Sequence, residues 1–390
     1  MQASSMVLLA VTGLLAASVP LAMVYVSRDA NKYRKLVWLT AFLTFDLIVF
    51  GAFTRLTDSG LGCPDWPGCY GAANPFLAHA DIKAAETLMP TGPVTVVKAW
   101  IEMLHRYLAM GIGCLCIALL ATAMIQWRKT RRIEFSPAPP AALLLLVLVQ
   151  GAFGAWTVTL KLQPVIVTIH LLLGMLLLSL LAWMGARQDQ LLRLAPVAAA
   201  AVPPGLRALA IASAVLLAIQ IGLGGWVSTN YATLACLDFP LCGGKVVPEM
   251  DFEHGFTLWR ELGMTATGQY LPFAALTAIH WVHRNFAFVV VGVLGWTAWR
   301  ARGTPLLRPV ARNIGLVLAA QFATGVATVY LNFPLAIAVL HNAGAALLVL
   351  LVTMLNYKLH YQIKHRAATL PAAAPGTAAS SPIPSARPHP

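Results

Sequence analysis

The sequence predicts an all-α polytopic membrane protein: two pseudo-symmetric four-helix transmembrane bundles, parallel repeats of one another, preceded by an extra N-terminal transmembrane helix. Three observations predict it. Of 390 residues, 59% are hydrophobic and 11% charged, well short of the quarter or so charged that is usual in soluble domains. Apolar runs long enough to cross a ~30 Å hydrocarbon core at ~1.5 Å per residue recur along the chain. They fall at about 6–26, 36–54, 97–126, 141–160, 164–185, 207–228, 272–299, 310–330 and 335–357. The last eight divide into two sets of four that share their loop punctuation.

The first run has no Lys or Arg before it and four within nine residues of its end. That charge order favours a retained helix with its N-terminus outside over a cleaved signal peptide, so 1–35 reads as a helix and a basic loop. Residues 36–185 hold the first set of four helices and 207–357 the second. Residues 358–390, Ala/Pro/Ser-rich from about 367, read as a disordered cytoplasmic tail. Nineteen Lys and Arg residues gather on one side of the predicted topology and six on the other, although the loops there are longer. The basic side is cytoplasmic by this bias, and the net charge of +13 is topology and contact with anionic lipid rather than nucleic-acid binding. With no Arg-rich amphipathic leader, a bacterial inner membrane is expected, with the cysteine loops periplasmic.

Each half carries a cysteine pair of identical spacing after its first helix, Cys63 and Cys69, then Cys236 and Cys242. Each has a His-Arg pair in its second helix, His105-Arg106 and His283-Arg284. Each ends with a histidine beyond a Gln and a Pro: Gln150, Pro164, His170 against Gln321, Pro334, His341. Similar offsets throughout imply duplication with the same topology, and therefore parallel repeats about an axis along the membrane normal.

Ionisable groups are costly in hydrocarbon and mark functional sites. Counted from their helix starts, His105 and His170 lie ~12 and ~9 Å deep, and His283 and His341 ~16 and ~10 Å. One such histidine alone would read as a packed residue with a hydrogen bond; two depth-matched pairs read as two sites that each take a pair of imidazoles. Zinc asks for three or four protein ligands, and each half offers two histidines with no nearby carboxylate or thiolate partner beyond Glu102. Haem iron needs two opposed histidines, apolar walls and small residues that let helices part; Gly111, Gly113, Gly151 to Gly154 and Gly344 supply room. Arg55, Arg106 and Arg284 are candidate propionate contacts, or snorkel to the interface.

The halves differ three residues before the first ligand, where Glu102 faces His280. The i, i+3 spacing puts each on the ligand's face of the helix. A buried carboxyl there could move protons, whereas a histidine would brace a permanent cofactor, so chemistry is assigned to the first half and a resident haem to the second. Pairing of Glu102 with Arg106 one turn on is the plain alternative. The outward cysteines favour disulfides, a staple at Cys236–Cys242 and either a staple or a redox pair at Cys63–Cys69. Cys114 and Cys116 read as core. Asp46 is left open between a proton path and a helix–helix hydrogen bond. His79, His254, His360, His365 and His389 have no evident partner.

These residues resemble a known family. Gly51-Ala52-Phe53-Thr54-Arg55-Leu56-Thr57-Asp58-Ser59-Gly60-Leu61-Gly62-Cys63, with Pro64-Asp65-Trp66-Pro67 and Cys69, is similar to the first outer loop of haem A synthases. Glu102-x-x-His105-Arg106 resembles their second-helix motif, and His170, His283 and His341 fall where the family keeps its other histidines. The resemblance covers about 36–357. It implies oxidation of the C8 methyl of haem O to a formyl group by successive hydroxylations, with haem B as cofactor and water as the oxygen source. It implies that His105 and His170 flank haem O, that Glu102 assists proton removal, and that His283 and His341 ligate haem B. Haem O synthase, cytochrome oxidase assembly proteins, an electron acceptor and further copies of the chain are the implied partners. A dihaem b-type quinone-linked electron-transfer protein and a non-catalytic haem carrier are the competing classes.

Overall fold

The computed structural model describes residues 3–191 and 202–369. Its long helices are α1 (Ala3–Val26), α2 (Lys32–Leu56), α4 (Val96–Thr130), α5 (Ala138–Thr159) and α6 (Pro164–Leu191), then α7 (Leu206–Thr229), α9 (Phe273–Ala301), α10 (Arg308–Tyr330) and α11 (Leu335–Thr369). Two short helices, α3 (His79–Leu88) and α8 (Phe252–Phe256), lie in the loops between them. Nine helices among the described residues are long and apolar enough to cross a membrane. The chain is an all-helical, multi-pass membrane protein. Only helices and closed barrels satisfy every backbone group in hydrocarbon, so this composition leaves the backbone little else to form.

Helix ends follow local chemistry. The side chain of Asn31 caps α2 by accepting the Arg34 amide at 2.8 Å, and Thr95 caps α4 through the Lys98 amide at 3.2 Å. Arg128 and Lys129 occupy the last turn of α4, where cations suit the helix dipole. Two helices outrun the apolar stretches that predict them: α4 continues to Thr130 and α11 to Thr369. The expected tail at 358–390 therefore begins as helix, and 370–390 lie outside the described residues.

Helix α2 packs on α4 and α6, α4 on α5, and α5 on α6, closing a ring of four. The same cyclic order recurs in α7, α9, α10 and α11. The rings meet where α6 packs on α7 and α11, and where α2 packs on α11. Helix α1 lies outside, against α4 and α2. Its seam is made by small residues: a Cβ on Gly111 would come within 3.1 Å of Ala16, and one on Gly13 within 3.0 Å of Met110. Close approach of backbones is the main source of helix association where lipid is as apolar as the side chains.

On the face that carries the cysteine loops, the rings are tied by polar contacts. Arg55 donates to the main-chain O of Ser228 at 2.6 Å and lies 4.2 Å over the Tyr231 ring. Tyr231 in turn donates to Asp58 at 2.7 Å. On the opposite face, Arg34 pairs with Asp189 at 2.5 Å and Gln188 donates to the main-chain O of Glu134 at 2.6 Å.

Candidate functional site

Each of the four histidines stands against a glycine of the neighbouring helix. A Cβ on Gly51 of α2 would lie 2.9 Å from Cε1 of His105 on α4, and one on Gly154 of α5 would lie 3.3 Å from Cε1 of His170 on α6. In the second ring, a Cβ on Gly224 of α7 would lie 2.9 Å from His283 on α9, and one on Gly325 of α10 would lie 3.1 Å from His341 on α11. The glycines make the room into which each imidazole turns. His283 and His341 line one apolar cavity with Phe239, Phe288 and Arg284.

The glycines nominated from sequence divide. Gly154 cradles a ligand candidate and Gly344 lies against Gln321, but Gly111 packs on α1, and Gly113 and Gly151 face open space. Gly51, Gly224 and Gly325 were missed. Their signal was present in the sequence: each repeats a partner at the same offset as the nearby cysteines or terminal histidines.

The cysteine loops are closed by bonded pairs, Cys63–Cys69 and Cys236–Cys242, with Cα separations of 4.9 and 4.8 Å. Inside each loop an aspartate accepts two consecutive amides. Asp65 takes those of Tyr70 and Gly71 at 2.6 and 2.7 Å; Asp238 takes those of Gly243 and Gly244 at 2.7 and 2.8 Å. Presenting both amides to one carboxylate needs φ between +49° and +73° at these four residues, which is why three of them are glycine. The Gly244 amide, followed by that of Gly243, holds the Asp238 carboxyl below the usual carboxylate range, against the opposing pull of desolvation.

The arginine beside each first ligand fastens this loop to its helix. Arg106 donates to the main-chain O of Asp65 at 2.9 Å, Pro67 at 3.3 Å and Gly68 at 2.6 Å. Arg284 donates to those of Asp238 and Leu241, both at 2.7 Å, and of Cys236 at 3.0 Å. Glu102 and His280 complete the fastenings. Glu102, 4% exposed, accepts from Arg106 at 2.5 Å and from the Cys63 amide at 2.8 Å. Nδ1 of His280 lies 3.1 Å from the main-chain O of Ala232, and its Nε2 lies 3.3 Å from Arg284. The Glu102–Arg106 pairing that sequence left open is therefore present, and the carboxylate reaches the loop as well.

The remaining candidates sit elsewhere. Arg55 joins the two rings, as described. Cys116 is buried in the core and Cys114 half-buried. His254 lies 2.7 Å from Asp251, a partner that the sequence did not suggest. Asp46 is exposed on α2, between half-buried Phe45 and Leu47.

The arrangement suits a porphyrin iron better than a bare metal ion. Among the described residues no group of three or more His, Cys, Asp or Glu gathers to hold a metal, which removes zinc of the usual kind. Among the described residues nine buried side-chain N or O atoms lack a hydrogen-bond partner, and five of them cluster at the histidines: Nδ1 of His105 and His170, and Oε1 of Gln150, Gln220 and Gln321. Buried polar groups are normally satisfied, so the concentration of orphans sets the surroundings of the histidines apart from the rest of the core.

A family model described as "Cytochrome oxidase assembly protein" matches residues 34–353. The chain belongs to the COX15-CtaA family. The matched segment contains all four histidines, Glu102 and both disulfide loops, and leaves out α1 and the end of α11. Relatives agree with it. A protein of Shewanella oneidensis named "Heme A synthase" is 37% identical over 334 residues, which is 84% of this chain and 98% of that protein. Proteins of the same name from Mesorhizobium japonicum and Methylobacterium radiotolerans are 31% and 29% identical over 84% of this chain, covering 91% and 90% of their own lengths. The loops and histidines described above all lie within the residues matched to the COX15-CtaA family, and α1 lies before them.

Proposed function

We propose that the chain is a haem A synthase, an oxidoreductase that converts the C8 methyl of haem O to a formyl group and so makes haem A for cytochrome oxidase. The observation that carries this reading is the pair of glycine-cradled, bis-histidine sites inside a chain that aligns with 98% of a protein named for that activity. Going from methyl to formyl takes up one water and releases four protons and four electrons, in two successive oxidations. Bound haem B would supply a redox-active iron for passing those electrons on to an acceptor.

The residues have separable tasks. His105 and His170 bind the haem O substrate, with Gly51 and Gly154 giving their rings space. His283 and His341 hold haem B beside the apolar wall of Phe239 and Phe288, and Arg284 offers that site a buried cation. Glu102 is the group to receive a proton from the reacting methyl, at Oε1 or Oε2. Its contacts with Arg106 and the Cys63 amide keep it ready as an acceptor and link proton uptake to the Cys63–Cys69 loop. Arg55 and Arg106 are the remaining cations for propionates in the first half. The two rings are read as duplicated parallel halves, supported by their shared helix order, loops and cradling glycines.

On the charge bias, the protein sits in a bacterial inner membrane with its N-terminus and disulfide loops periplasmic and its C-terminus cytoplasmic. Haem O synthase as donor, assembly proteins of the oxidase as recipients and self-association belong to the same reading. A quinone-linked dihaem protein is disfavoured because all four histidines lie in the first three turns of helices that leave the disulfide face; carrying electrons across the bilayer asks for haems nearer opposite faces.

The test is pigment extraction from membranes of a strain whose haem A depends on this chain. Glu102→Ala is expected to keep the haem B spectrum while haem O accumulates and haem A disappears. Undiminished haem A from that variant would remove the carboxyl from the chemistry.

A further inference from the structure

The four imidazoles differ in what holds them. Thr324 stands one residue before Gly325 on α10, and its hydroxyl oxygen lies 3.1 Å from Nδ1 of His341. The same hydroxyl donates to the main-chain O of Gln321 at 3.0 Å. With its one proton engaged there, Thr324 can only accept from the ring. His341 therefore carries its proton on Nδ1 and presents the lone pair of Nε2. Gln220, four residues before Gly224 on α7, donates to the main-chain O of His283 at 3.1 Å, and its amide nitrogen lies 3.2 Å from Nδ1 of that ring; an amide nitrogen only donates, so this contact is not the counterpart of the Thr324 bond.

Counting back from the cradling glycines of the first half gives Phe153, one residue before Gly154, and Leu47, four before Gly51. Neither side chain can donate or accept a hydrogen bond. Nδ1 of both His105 and His170 is buried there without a partner. The glutamine common to both halves does not make the difference: Gln150 donates to the main-chain O of His170 at 3.0 Å, and Gln321 lies 3.3 Å from Nε2 of His341, where a metal would displace it.

We propose that Thr324 is the positioning residue for His341, and that Phe153 in its place leaves His170 without an orienting bond, so that the second half retains its porphyrin while the first exchanges it. This rests on the histidines being haem ligands. A partner on the far nitrogen fixes ring orientation and raises ligand basicity, and its loss typically costs a metal site about 10–100-fold in affinity. An enzyme that must keep one haem and release another gains from having this bond in one half only.

The experiment uses full-length protein purified with its haem and follows transfer of haem to excess apomyoglobin through the Soret band. Thr324→Val is expected to lose haem B about 10–100-fold faster and to raise the midpoint potential of the haem that remains. Thr324→Ser, which keeps the hydroxyl, should behave as the native protein. Phe153→Thr should slow the departure of haem O from the first half. Unchanged loss from Thr324→Val, or equally fast loss from Thr324→Ser, overturns the proposal. If Thr324→Val does not fold, Phe153→Thr decides alone, and no slowing overturns it. A native protein with no Soret band is a different result, since it removes the haem ligands themselves.

Discussion

At the residue scale, the glycines are the positions where one methyl group decides between two outcomes. An alanine at 224 would put its Cβ 2.9 Å from Cε1 of His283, whereas one at 222 would meet only Leu172 at 3.7 Å, an ordinary contact. The atom in the way at 224 belongs to a ring that can swing, so the fold should survive at modest cost while the ligand moves. Gly224→Ala is expected to fold and insert normally yet bind haem B about 10-fold or more weakly, read from the haem-to-protein ratio after purification; Gly222→Ala should match the native ratio. Equal ratios for the two variants would mean that the cradle does not place the ligand. The histidines and Glu102 could be found from sequence because buried ionisable groups are rare in apolar helices. The glycines could not be assigned to them, since which helix faces which is settled only when the rings close. Thr324 was hidden for the same reason: it acts on a histidine of another helix.

At the scale of elements, each disulfide loop is organised from inside by an aspartate and from below by an arginine. Asp238 gives this a pH dependence. Its folded pKa is depressed, so the stability it lends the loop is present above the ordinary carboxylate value of about 4 and is lost as pH falls through the lower folded value. Amide exchange at Gly243 and Gly244 should therefore stay slow, relative to the intrinsic rate, from neutral pH down to about 4, and lose protection below it. Asp238→Asn should shift that onset or abolish it; protection that ignores both acid and the substitution would mean the carboxylate is not what folds the loop. Helix identities were legible because a membrane span needs about 20 apolar residues. The ends of α4 and α11 were not, because polar residues such as Gln126, Arg128 and Lys129 are good helix formers that continue the spiral beyond the apolar stretch. The roles of Arg106 and Arg284 were equally hidden, since their acceptors are main-chain oxygens that any sequence carries.

At the scale of the molecule, two rings of four helices share one order, one loop design and one way of seating a pair of imidazoles, and differ beside the histidines at Glu102 against His280 and at Phe153 against Thr324. The first ring has an acid and an unorienting neighbour, and the second has polar braces. The proposed function rests its division into a substrate ring and a cofactor ring on that difference. Arg55, Tyr231 and Asp58 join the rings on the disulfide face, close to the end where both sites lie. The most direct test is the haem content of the purified protein and its four single His→Ala variants, by extraction and reduced-minus-oxidised spectra. His283→Ala and His341→Ala should empty the haem B site, while His105→Ala and His170→Ala should keep the haem B signal and stop haem A formation. The reverse pattern would mean that the halves are exchanged. A well-folded native protein, supplied with haem and showing no Soret absorbance, would contradict the account altogether.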